Sequence, residues 1–379
     1  MTNNRIALEE AGRKGRPFWR AAAGASAFCA ILIGADLAAG RAMWWLRERA
    51  GGHGAAMEER YRIPNARYHH DLKPNTSTDS AEWGPIRYTV RTNSLGFKDA
   101  NVRDVPLASS AFRLLVIGDS FTEGVGFPFD ATFAGRLATA WRGRGIEVLN
   151  AGVVSYSPVI YWKKIEDLLL RRGLHVNAVL VAIDPSDIQD EALLYQLDAN
   201  GNVIDRAVPG HNWWIHNSLL FRVVRKSMWR LFPRRPLVGC VRAETFNLDC
   251  RTGWTISVAG MNDWEREGLA SADTHMRSLA ILLRAQGIPL TIAVYPWPQQ
   301  LLRSERGEFP VRHWQQWADR EGAGFIDLYR PFVARVDALG TSAAIEESFI
   351  PGDVHWNARG HALVAGVIAA ELRMPHAGQ

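Results

Sequence analysis

Residues 112–375 predict an α/β domain, a three-layer α/β/α sandwich on a five-stranded parallel sheet. Three observations carry this. Five short apolar runs are bounded by glycine or polar residues, the pattern of strands buried on both faces of a parallel sheet. Helical patterns fill the gaps between the runs. Strands that alternate with helices make a doubly wound, flavodoxin-like fold.

The first run is Arg113–Ile117, RLLVI, closed by Gly118. Ile146–Leu149 and Ala178–Ile183 (AVLVAI) follow, then Pro289–Tyr295 (PLTIAVY) and Gly324–Leu328 (GFIDL). Helical patterns cover 130–143, 159–173, 263–286, 311–322 and 357–372. The stretch 190–262 after the third run is too long for an ordinary connection, so an insertion is expected there.

The N-terminal part reads differently. Residues 21–40, AAAGASAFCAILIGADLAAG, carry a single charge, Asp36, and follow Arg13, Lys14, Arg16 and Arg20. About twenty apolar residues span a bilayer as a helix. Trp44 and Trp45 then stand where interfacial aromatics are common. The expected layout is a cytoplasmic N-terminus at 1–20 and an uncleaved transmembrane signal anchor at 21–45. A stalk and N-terminal extension follow at 46–111. The main domain is then expected outside the cytoplasm, in the periplasm.

Hydrophobic residues at 47% and charged residues at 22% can fill a sizeable core, which excludes a disordered chain. The net charge of +5 decides nothing about partners. There is no basic arm, helix-turn-helix pattern or zinc-finger spacing, so nucleic acid is not an expected partner. Cys240 and Cys250 flank VRAETFNLD, and in an oxidising compartment they would close a disulfide loop; the alternative is two unrelated thiols. No cofactor and no metal centre is expected. His69-His70-Asp71 are adjacent and cannot easily share one ion, so they are expected on a loop surface.

Sites in open α/β sheets form beyond the carboxyl ends of the strands. There the first strand delivers Gly118-Asp119-Ser120, the second Asn150-Ala151-Gly152 and the third Asp184-Pro185-Ser186-Asp187. The segment after the fifth delivers Gly352-Asp353-Val354-His355. A serine hydroxyl is a weak nucleophile and needs a base beside it. His355 can be that base, with Asp353 two residues away to fix its tautomer. The backbone N–H groups of Ser120 and Gly152, with a side chain after the third strand, are the expected oxyanion donors. Trp297 and Trp356 are expected near the same rim, to stack on a sugar or cover an acyl chain.

Three blocks carry a resemblance. IGDSFTEG at 117–124, LNAGVVSYS at 149–157 and DVHWNARGH at 353–361 resemble, in order, blocks of the SGNH/GDSL hydrolase superfamily. The resemblance implies Ser120 as nucleophile, Gly152 in the oxyanion hole, and Asp353 with His355 as acid and base. Two departures stand out. The family's Gly-x-Asn-Asp block is here Asp184-Pro185-Ser186-Asp187, so Ser186 takes the place of the asparagine donor. The spacing Asp353-x-His355, followed by Trp356, is similar to that of alginate-type O-acetyltransferases. The expected function is ester cleavage through an acyl-serine. The expected substrate is an acyl ester, with cell-envelope or extracellular polysaccharide as acyl carrier. The alternatives are an O-acetyltransferase and a noncatalytic polysaccharide-binding or assembly protein of the same fold.

Overall fold

The structure is a computed structural model that describes residues 28, 31–42, 61–206, 218, 220, 251–255, 260–303 and 306–374. The chain divides into two units, 1–56 with 207–237, and 57–206 with 238–379. In the first unit residues 31–42 are helical and mostly exposed. Among the described residues no helix is long and apolar enough to cross a membrane. Residues 21–27, 29–30 and 43–45 of the expected anchor, most of the insertion, and both Cys240 and Cys250 lie outside the described residues.

The second unit opens with two antiparallel hairpins. Strand β1 (Arg62–Asn65) pairs with β2 (His69–Leu72), and β3 (Ser77–Trp83) with β4 (Ile86–Arg91). His69, His70 and Asp71 therefore form strand β2, not the expected loop surface. His70 Nε2 meets the Val154 carbonyl at 2.8 Å, while Asp71 is buried and turns to a lysine.

The core follows as β5 (Phe112–Gly118), α1 (Ser120–Glu123), α2 (Phe133–Trp141), β6 (Ile146–Asn150) and α3 (Pro158–Glu166). Then come β7 (Ala178–Ile183), α4 (Asp187–Leu193) and a small hairpin of β8 (Tyr195–Leu197) and β9 (Val203–Asp205). After the insertion come α5 (Asp263–Ala285), β10 (Leu290–Val294), α6 (Pro298–Leu302), α7 (Glu308–Glu321) and β11 (Gly324–Asp327). Helices α8 (Tyr329–Leu339), α9 (Thr341–Ser348) and α10 (Ala358–Glu371) end the unit.

Five strands form one parallel sheet in the order β11-β10-β7-β5-β6. Successive side chains of a strand point to opposite faces. Leu115 and Ile117 of β5 join Val179 and Val181 of β7 on one face, under Ile165 of α3, Met276 of α5 and Trp314 of α7. Leu114 and Val116 join Leu180 and Ala182 on the other, under Leu137 of α2, Phe332 of α8 and Ile368 of α10. The sheet is thus buried on both sides, which is why its strands read as unbroken apolar runs. Winding reverses at β5, between β6 and β7, and a crevice opens beyond the strand ends at such a switch.

Charged residues fasten the hairpins to this core. Lys164 of α3 is buried and donates to Asp71 Oδ1 at 2.8 Å and to the Ala151 carbonyl at 3.0 Å. Arg62 forks onto the buried Glu123 carboxylate at 2.8 and 2.9 Å. Lys98 pairs with Asn150 at the edge of the sheet and donates to the carbonyls of Gly124 and Phe127 at 2.8 and 2.6 Å.

Candidate active site

Strand β5 ends in a tight turn that carries Ser120. Asp119 caps helix α1, its Oδ1 accepting the Phe121 N–H at 2.9 Å. Gly118 has no room for a side chain: a Cβ there would lie 2.2 Å from Thr122 Oγ1 and 2.8 Å from the Ala182 carbonyl. The turn therefore seats directly on β7 and aims Ser120 at the switch point.

The opposite side of the crevice is the loop between α9 and α10. The Ile350 N–H donates to the His355 carbonyl at 2.8 Å, and the Asp353 N–H to the Ile350 carbonyl at 3.0 Å. Asn357 closes the loop, its Nδ2 donating to the Phe349 carbonyl at 3.0 Å while its Oδ1 caps α10. Two residues beyond that hairpin-like turn the imidazole of His355 faces Ser120, with Nε2 2.8 Å from the serine Oγ. His355 Nδ1 lies 2.6 Å from Asp353 Oδ1, which also accepts the His355 backbone N–H at 3.1 Å. A carboxylate only accepts, so Nδ1 carries the ring proton and Nε2 is free to take the proton of Ser120. Burial pushes the Asp353 carboxyl up, but the hydrogen bonds and charge of His355 outweigh it. With help from Trp83 they hold it down at about 2, so Asp353 stays ionised beside the histidine.

Ser120 Oγ has a second neighbour, Asp119 Oδ2, at 3.0 Å. Asp119 lies in a buried acidic cluster in which it, Asp184 and Asp187 each bring an oxygen within 4.8 Å of the others. Protein donors already face these groups: Tyr295 on Asp119 at 3.2 Å, Trp297 on Asp184 at 2.8 Å and Tyr161 on Asp187 at 2.9 Å. Burial, then the charge of Asp184, push the Asp119 carboxyl well up. The Ser120 hydroxyl can donate to Asp119 Oδ2 or to His355 Nε2.

The expected oxyanion donors separate. Ser120 is the first residue of α1, where N–H groups have no partner within the helix. Gly152 is pressed against α1: a Cβ there would lie 2.5 Å from Thr122 Cγ2 and 2.9 Å from the Glu123 nitrogen. Its N–H donates to Asn150 Oδ1 at 3.1 Å. Ser186 is placed differently from expectation. Its backbone N–H and its hydroxyl both donate to Asp184 Oδ1, at 2.7 and 2.6 Å. A hydroxyl has one proton, and this one is taken by a carboxylate two residues back. Ser186→Ala is accordingly expected to cost about 1–3 kcal/mol of stability and to leave kcat within a few fold. Urea melts beside initial rates check this; a kcat loss of about 100-fold at unchanged stability would restore the oxyanion role.

Trp297 and Trp356 also depart from expectation. Both are buried, at 2% and 0% exposure, and offer no face to a sugar. Trp297 holds Asp184, while Trp356 packs on Phe121 and Tyr295, with ring centroids 4.8 and 4.7 Å away. The half-buried aromatic at the triad is instead Trp83, at the end of β3. Its indole N–H donates to Asp353 Oδ2 at 2.7 Å, and its ring stands edgewise to His355 at 4.8 Å. Asp187, Asp190 and Glu191, charged residues of a kind usually solvated, are all buried and partnered.

No protein-family model and no curated protein matches the chain. Solved structures do match it. The acetyl xylan esterase AlAXEase is 14% identical, with 69% of this chain and 100% of that one covered and a TM-score of 0.40. Axe2, an acetylxylan esterase from Geobacillus stearothermophilus, is 14% identical over 72% of this chain and 98% of that one, with a TM-score of 0.42. A protein assigned to the G-D-S-L lipolytic family from Desulfitobacterium hafniense DCB-2 is 12% identical over 69% and 99%, with a TM-score of 0.37. At this identity and overlap the likeness says nothing of substrate, and the chemistry is read from the site's own distances.

Proposed function

We propose that this protein is a serine esterase of SGNH type that acts through an acyl-serine intermediate. The observation that carries the reading is the unbroken relay Ser120–His355–Asp353, with contacts of 2.8 and 2.6 Å. Ser120 Oγ attacks the ester carbonyl carbon as its proton passes to His355 Nε2. The tetrahedral intermediate collapses, His355 returns the proton to the leaving alkoxide, and the acyl group stays on Ser120. A water or an acceptor hydroxyl then attacks the acyl-serine, with His355 again taking and returning one proton. Asp353 stays ionised throughout and stabilises the imidazolium. A purely binding role needs no such relay, which weighs against the noncatalytic alternative.

Transfer to an acceptor hydroxyl is a second reading, and the burial of the nucleophile favours it. Ser120 and His355 are each 7% exposed, an environment that shields an acyl-serine from bulk water. Location outside the cytoplasm behind an N-terminal anchor, and a polysaccharide as acyl carrier, complete the proposal; they rest on the apolar run at 21–40 and on the block resemblance. Turnover of p-nitrophenyl acetate by the full chain tests the reading. Release of p-nitrophenol with free acetate supports hydrolysis. Acceleration by an added oligosaccharide that becomes acetylated supports transfer. No release beyond the uncatalysed rate overturns both.

A further inference from the structure

We propose that Trp83, delivered by the N-terminal hairpin, is a positioning residue of the catalytic triad. The inference rests on the serine-esterase reading and deepens it. A triad carboxylate must hold two things still: its bond to the histidine and its own plane. Asp353 Oδ1 is engaged by His355 twice, through Nδ1 and through the backbone N–H. Oδ2 is engaged by the indole of Trp83 at 2.7 Å, from a residue 270 positions earlier. With both oxygens held, the carboxylate cannot rotate about its Cβ–Cγ bond, and Oδ1 stays on Nδ1.

The hairpin that presents Trp83 is itself seated on both catalytic loops. Trp83 pairs with Ile86 across the turn Gly84–Pro85, where Gly84 adopts φ 55°. Around Gly126, in the loop after the nucleophile helix, a Cβ would find Ile350 Cδ1 at 3.4 Å, Ile86 Cδ1 at 3.6 Å and Trp83 Cβ at 3.9 Å. Ile350 precedes Asp353, so the hairpin tip bridges the loop that follows Ser120 and the loop that carries the acid and base. The Arg62–Glu123 fork and the Lys98 contacts brace the first of these loops from the same N-terminal segment. Residues 61–98 thereby complete a site whose nucleophile and base both lie beyond residue 112.

The test is Trp83→Phe in the full chain, assayed with p-nitrophenyl acetate. The ring remains and the N–H is lost. Hydrogen bonds to charged groups set the scale, and kcat is expected to fall about 10- to 100-fold, with KM nearly unchanged. Without the indole, Asp353 binds the imidazolium more tightly, so the acid limb of the kcat/KM profile moves to higher pH. On an Asp353→Ala background the same substitution is expected to cost less than threefold, because its acceptor is gone. If Trp83→Phe does not fold, benzothienylalanine at position 83 keeps the bicyclic shape and replaces the N–H with sulfur. Loss in KM alone, full additivity with Asp353→Ala, or wild-type kcat with an unmoved acid limb overturns the positioning role. Wild-type turnover in the same assay separates these outcomes from failure of the esterase reading.

Discussion

Ser120→Ala and His355→Ala are each expected to lower kcat for p-nitrophenyl acetate by about 10⁴- to 10⁶-fold while the melting transition persists. The size follows from the way triad members act as a unit, each useless without the other. Ser120 Oγ lies 2.8 Å from His355 Nε2, so removing either leaves the other without its partner and the chain without an activated nucleophile. The double variant is therefore expected to be hardly slower than either single one. Rates measured for the two singles and the double decide this. Losses that multiply would mean that Ser120 and His355 do not work together.

Lys164→Met is expected to destabilise the protein by about 3–5 kcal/mol, the cost of leaving one buried partner of an ion pair uncompensated. Lys164 and Asp71 have side chains 0% and 6% exposed and meet at 2.8 Å. Burial pulls the Lys164 ammonium down, and the charge and hydrogen bond of Asp71 work against it. The pair joins the first hairpin to α3 and reaches the Ala151 carbonyl, next to Gly152. Lys164→Met with Asp71→Asn removes both charges, and much of the loss is expected to return. Denaturant melts of the two singles and the double give the coupling directly. Additive losses would show that the hairpin is held by packing rather than by this pair.

The parts of the molecule that the sequence reveals share a physical cause. β5, β6, β7 and β10 are buried on both faces, so each reads as a continuous apolar run at its own position; β11, at the sheet edge, is only partly buried. Asp353 and His355 are legible because their contact is local, two residues apart. The Ser120–His355 contact spans 235 residues and follows only from the rule that strand ends converge. The hairpins of residues 62–91 are half-polar, with a bulge between Thr78 and Ala81. Their polar side chains look like a solvated extension until distant partners such as Lys164 and Glu123 are present. Trp83 belongs to the same class: an indole becomes a triad partner only through a tertiary contact. α8 and α9 each bury only two residues, Tyr329 with Phe332 and Ala344 with Ser348. Ser186 was legible in another sense. Serine side chains bond nearby backbone and acidic groups, and Asp184 stands two residues before it. Trp356, expected to face a sugar or acyl chain, instead packs edge-on against Phe121 and Tyr295 in the core.

The most direct measurement is covalent labelling of the full chain with a fluorophosphonate, read by intact mass and peptide mapping. Such a probe reacts with a serine only where a base activates it. The predicted result is one adduct per chain, on the peptide that carries Ser120, and none in Ser120→Ala or His355→Ala. Absence of an adduct in the wild-type chain, or an adduct that survives in Ser120→Ala, would contradict Ser120 as the activated nucleophile.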